Sequence, residues 1–261
     1  MEYRSVEEAR GLPGLRLVLT PGVPGPWGEA AKAIFHVKGV PFVPVRQEPG
    51  QANDALFAWT GSRNAPVAVP EDGPPCSGWN EILLLAERLA PDVPLLPTDP
   101  AERALALGLS HEICGPDGLG WCRRLVMLHE SLVRLPPDAQ GNPVVDTLRT
   151  LAERYGYAAS RMDAVKRRVI ALFGLFAERL RARHAAGRRH LVGDGLTATD
   201  LYWATFAAMI DPLPAEQCPM PEMLRAGYRL RDPELLAAAD PILLEHRDFI
   251  YREHLSLPLD F

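Results

Sequence analysis

Leu191-Val192-Gly193-Asp194-Gly195-Leu196-Thr197-Ala198-Thr199-Asp200-Leu201 is a loop running into a strongly marked helix start. Thr197 is placed as an N-cap, and Asp200, three residues on, can reach back to the Thr197 backbone N–H. Leu196 before the cap and Leu201 after it have the spacing of a hydrophobic staple. The helix that follows carries Tyr202, Trp203, Phe206, Ala207 and Ile210 and is apolar nearly all round, which predicts a buried helix. Such a helix organises a fold and performs no chemistry of its own.

Around this nucleus the chain of 261 residues has 47% hydrophobic and 23% charged residues, the balance of a globular protein with ample core. Its net charge of −5 argues against a nucleic-acid partner, which would want a basic face. The arginines at 179, 181, 183, 188 and 189 fall at a predicted helix C-terminus, where cations complement the dipole. Cys76, Cys114, Cys122 and Cys218 lack metal-ligand spacing, so no metal site is expected. With a start, Met1 to Glu8, that has no apolar signal core, they imply a reduced cytoplasm. No apolar run approaches the ~20 residues of a membrane span, and no Gly-rich loop points to a nucleotide.

Residues 1–14 read as a loose leader. Leu15–Leu19 reads as a strand closed by Thr20-Pro21. A helix follows with Ala30, Ala33, Ile34 and Val37 on one stripe, stopped by Lys38-Gly39-Val40-Pro41. Phe42–Val45 is a second strand, so the opening is β-α-β with a parallel pair. A polar loop spans Gln47 to Asn64, a strand Pro66–Val69, a turn Glu71–Gly73 and a helix Trp79–Leu89. The Pro-rich run 91–98 is a linker that separates this 15–90 layer from a helical unit over 99–261. Its predicted helices run from Asp99-Pro100 to about Cys114, then over Leu119–Val133, Val144–Tyr155, Ser160–Ala186, Thr197–Ile210, Met220–Leu230 and Pro233–His254. The fold class is an α/β domain followed by an all-α domain.

Gly193-Asp194-x-x-Thr197-x-x-Asp200 before a buried helix resembles the capping box in the helical domain of the glutathione S-transferase family. Lys38-Gly39-Val40-Pro41-Phe42 is similar to that family's first-helix exit and Ala65-Pro66-Val67 to its cis-proline loop. Glu81–Leu89 resembles its third helix, and Leu95-Leu96-Pro97 through Ala104 its linker. The order covers essentially the whole chain and implies a thioredoxin-like N-domain with an all-helical bundle behind it.

The resemblance implies that Ala65, before a cis Pro66, holds the cysteinyl backbone of glutathione as co-substrate. It also implies a hydroxyl or thiol near the first helix that activates the sulfur, yet the matching positions are Gly25, Pro26 and Trp27. Thr20 reads either as that donor or as a strand-terminating polar residue. The backbone N–H groups of Trp27 and Gly28 can still hold a thiolate at the helix N-terminus. The family's Glu-Ser pair, which binds the γ-glutamyl end, falls on Gly78-Trp79. Ser77 reads either as an anion-catching residue or as a plain N-cap. His111, Glu112, Trp121 and His129 read as pocket residues or as packing, and the material from Pro136 to Tyr157 as a cover or extension of the pocket. The implied activity is transfer of the glutathione thiol to a small electrophile. The alternative is a non-catalytic module with an apolar pocket lined by Trp27, Trp79 and Trp121. The resemblance further implies a homodimer, through Pro70–Pro75 and the helix Asp99–Cys114.

Overall fold

The computed structural model describes residues 1–135 and 142–261. The chain opens with a short helix, α1 (Val6–Ala9), and continues β1 (Leu15–Leu19), α2 (Pro26–Val37), β2 (Phe42–Arg46), α3 (Asp54–Thr60), β3 (Val67–Val69) and α4 (Trp79–Leu89). Helices then follow one another: α5 (Pro100–Cys114), α6 (Leu119–Leu132), α7 (Pro143–Arg154), α8 (Met162–Ala185), α9 (Ala198–Phe206), α10 (Glu222–Tyr228), α11 (Pro233–Ala238) and α12 (Pro241–His254). This is a thioredoxin-like layer followed by an all-helical domain. None of the described helices is long and apolar enough to cross a membrane.

The strands stand in the order β2-β1-β3. β1 runs parallel to β2, with Leu15 opposite Phe42, and antiparallel to β3, with Val18 opposite Val67. The period-2 alternation of β1 divides its side chains between two cores. Leu15, Leu17 and Leu19 join the α2 and α4 side and, through it, the core of the helical domain. Val18 joins Val6, Ala9, Val45, Leu56 and Val67 on the other face.

Three sequence expectations are corrected here. The 1–14 segment is not a loose leader. Ser5 and Glu8 form a reciprocal capping box that starts α1, Val6 and Ala9 bury against the sheet, and Arg4 pairs with Val45 in a parallel bridge. The 47–64 stretch contains α3, begun at a left-handed Asn53 and ended at Gly61 with φ 73°, because Leu56 is needed to close the second core. The expected last helix is two, since the Asp240 side chain caps Ile242 N–H and Pro241 takes the first helical position. Of the 136–157 stretch, residues 136–141 lie outside the described residues; α7 and Tyr155 follow.

The stretch quoted at the outset forms a buried polar knot. Thr197 donates its N–H (2.9 Å) and its hydroxyl (2.8 Å) to Asp200 Oδ2. Oδ1 accepts the Leu191 N–H at 2.8 Å and lies 3.0 Å from His246 Nε2 on α12. Burial pushes the Asp200 carboxyl up, but the His246 contact and the two N–H donors outweigh it and hold its pKa below the usual Asp value. Every residue of α9 is buried, and Trp203 Nε1 donates to Leu243 O at 2.9 Å. The same helix docks the two layers, as Ala198 N–H donates to Leu95 O and the Tyr202 hydroxyl to Trp79 O, at 2.8 and 2.9 Å.

Candidate functional site

Where β1 gives out, the chain turns through Gly22 and enters α2 with Gly25 as N-cap and Pro26 at the first helical turn. The first intrahelical bond is Glu29 N–H to Gly25 O, and Gly25 offers no side-chain cap. The Trp27 and Gly28 N–H groups are therefore first-turn donors without an intrahelical acceptor, at the positive end of a 12-residue helix. Both residues line a cleft of about 160 Å³. Thr20, Trp27, Gly28 and Ala65, all picked out from sequence, line it together. The Ala65–Pro66 peptide is cis, and Ala65 lies beyond the last ladder pair, Val18–Val67.

Thr20 reaches the cleft, but its hydroxyl proton goes to Gln47 Oε1 at 2.7 Å. Gln47 N–H in turn donates to Leu19 O, at 2.9 Å, so Thr20 ties the end of β1 to the chain leaving β2. A hydroxyl has one proton, and this one is committed. Thr20 thus adopts the strand-closing alternative of the sequence reading.

The free hydroxyl in the cleft belongs to Tyr3, which sequence reasoning missed by setting aside residues 1–14. The Arg4–Val45 bridge carries Tyr3 against the site. Its hydroxyl is buried with no hydrogen-bond partner among the described residues. Burial, then the nearby Glu29 and Asp260 carboxylates, push its pKa up to about 12, so it stays a neutral donor at physiological pH. A buried, unpaired hydroxyl lining a cleft is a group awaiting an acceptor. The one available signal was the Ser5…Glu8 capping box beside it.

Pro66, Ser77 and Trp79 lie behind Trp27, around a second cavity of about 10 Å³ that at most one water would fit. Gly78, not Ser77, is the N-cap of α4, and Glu81 Oε2 accepts the N–H groups of Gly78 (3.0 Å) and Ser77 (3.2 Å). This helix end is therefore neutralised by its own carboxylate. Trp79 packs edge-on against Tyr202 at 5.6 Å between ring centres, so it docks the domains.

Trp27 does the same with its side chain. The indole N–H donates to Cys114 O at 3.0 Å, and the ring meets Phe206 edge-on at 4.8 Å. Gly120 on α6 makes room for both: a Cβ there would overlap the Phe206 ring and lie 3.1 Å from Trp27. Gly120→Ala is expected to cost about 1–3 kcal/mol by overpacking, read as a lower urea midpoint; an unchanged midpoint would show that the rings yield freely. The three tryptophans do not line one pocket: Trp27 and Trp79 share only the small cavity of about 10 Å³, and Trp121 packs at a tilt on Tyr155 with ring centres 4.6 Å apart. His111, Glu112 and His129 do not line the cleft either: Glu112 pairs with Arg168, and His129 bonds the Tyr157 hydroxyl.

The far wall carries Arg124 from α6, Tyr155 after α7 and Phe261. On the near side the buried Glu29 carboxyl is raised by burial and held by Lys32 at 2.8 Å. No cluster of three or more His, Cys, Asp or Glu able to hold a metal occurs among the described residues.

No family model and no curated protein matches this sequence. Solved structures do. A glutathione S-transferase from Methylobacterium radiotolerans, in complex with glutathione sulfonate, is 20% identical with a TM-score of 0.61, over 92% of this chain and 91% of that one. Rice GST1, in complex with glutathione, is 20% identical with a TM-score of 0.58, over 94% and 93%. The β-etherase LigF from a Sphingobium species is 18% identical with a TM-score of 0.56, over 90% and 99%. From end to end, then, this chain has the glutathione S-transferase fold.

Proposed function

We propose that this protein binds glutathione and transfers its thiol to a small electrophile. The observation that carries the reading is the cleft itself, where two unsatisfied N–H groups on a helix N-terminus, the Ala65 edge and an unpaired tyrosine hydroxyl face one space. Structural neighbours that hold glutathione or its sulfonate support it. A main chain laid along Ala65 would bring its sulfur toward Trp27 and Gly28. Their N–H groups, the helix dipole and the Tyr3 hydroxyl would favour the thiolate over the thiol. The thiol proton passes to water, the sulfur attacks the electrophilic carbon, a C–S bond forms, and the leaving group departs with its electron pair.

A second reading, a binding module without turnover, draws on Glu81. Its carboxylate already caps the helix end where the family pattern would bind the γ-glutamyl group. Millimolar glutathione should raise the melting temperature by a few degrees, since tenfold saturation is worth about 1.4 kcal/mol. Turnover of an aromatic halide above the spontaneous rate decides for the transferase. Protection without turnover decides for the module, and neither effect ends both. The proposal extends to a homodimer in a reduced cytoplasm, for which light scattering should give twice 28.7 kDa; a monomer at micromolar concentration would overturn the dimer.

A further inference from the structure

Two adjacent arginines on α6 have different fates. Arg123 is 1% exposed, and its Nε and Nη2 donate to Met209 O at 2.9 and 2.8 Å, so it is a structural clamp. Arg124 lines the cleft, and no carboxylate pairs with it among the described residues. Its Nε is buried without a hydrogen-bond partner. Its neighbours are tyrosines: the guanidinium carbon lies 5.8 Å from the centre of the Tyr228 ring, and the Tyr228 and Tyr155 hydroxyls are the polar groups beside it. The second cation of the cleft, Lys32, is already occupied by Glu29 and by the carbonyl of Asp260. Of the two cationic side chains that line the cleft, Arg124 is thus the one without a carboxylate partner among the described residues.

A half-buried guanidinium with an unpartnered Nε gains from an anion that completes it, and its fork matches a carboxylate in shape as well as charge. We propose that Arg124 recognises a carboxylate on the second substrate, so that the electrophile is a small organic acid; this rests on the transferase reading. The α2 N-terminus, which lines the same cleft, serves the thiolate. Arg124, on the helical domain, serves the acceptor, with the Tyr155 hydroxyl beside it.

The test compares 4-(bromomethyl)benzoate with its methyl ester, which differ in charge and little else; in both, the C–S bond forms as bromide leaves. The wild-type protein is expected to prefer the acid by roughly ten- to a hundredfold in kcat/KM, the range of a charge-assisted hydrogen bond. Arg124→Gln should abolish that preference and leave the KM for glutathione unchanged, and Arg124→Lys should restore part of it. Equal use of acid and ester by the wild type overturns the proposal without recourse to any variant. So does a loss in Arg124→Gln that falls on glutathione. Calorimetry with 4-methylbenzoate and 4-methylbenzamide, without glutathione, separates the two claims. Preference for the benzoate with no turnover of either bromide upholds the anion site and overturns the transferase, whereas turnover with no preference does the reverse.

Discussion

Asp200→Ala is expected to lose about 3–5 kcal/mol of stability, the cost of removing a buried carboxylate that several buried donors share. The substitution leaves the N–H groups of Leu191 and Thr197 and the His246 ring without an acceptor in a site closed to water. In a chain of 261 residues that loss lowers the melting temperature by roughly 5–9 °C. The wild-type protein carries the matching pH dependence. Because the Asp200 pKa is lowered on folding, its contribution is fully present above the ordinary Asp range and is lost as pH falls below it. Thermal melts at neutral pH and at pH 3–4 should therefore show wild type and variant converging in acid. A constant difference across that range would assign the knot's effect to packing instead of charge.

Tyr3→Phe is expected to separate chemistry from folding. The hydroxyl it removes has no hydrogen-bond partner among the described residues, so the melting temperature should stay the same or rise slightly. Activity should not follow. If the phenol donates to the sulfur, its loss should lower kcat/KM by roughly ten- to a hundredfold, as for other charge-stabilising donors. The ultraviolet band of bound thiolate should move to higher pH at the same time. An unaltered thiolate titration would leave the helix N-terminus as sole stabiliser and remove Tyr3 from the mechanism.

How much of this was legible in sequence depended on whether the signal was local. The Thr197–Asp200 box is a four-residue pattern and the α2 stripe an eight-residue one, and both read through to the structure. Helix α4 was equally plain, its start fixed by Gly78 and Glu81. Helix α1 was not, because four residues hide only Val6 and Ala9, too little for any periodicity to register. Helix α3 was masked by the polar residues around it, although Gly61 at its end was a usable stop. In the site, Ala65, Trp27 and Gly28 could be placed because β-α-β order brings strand ends and helix starts to one edge. Arg124 and Tyr3 could not, since the first sits in the helical domain, far beyond Ala65 in sequence, and the second before the first strand. Thr20 shows a different limit: the position was right, but a hydroxyl's partner is decided by Gln47, across the sheet.

Trp27 belongs to both halves of the molecule at once. Its main chain forms the first turn of α2 beside the cleft, while its indole is pinned to the Cys114 carbonyl and the Phe206 ring. The helix start that would hold the sulfur is thus fastened to the helical domain by one of its own residues. Any loosening of the domain seam displaces the anion-binding donors as directly as a change inside the site. The two halves therefore cannot be tuned separately: a substitution that makes the seam breathe also blurs the site, and one that sharpens the site must keep the seam shut.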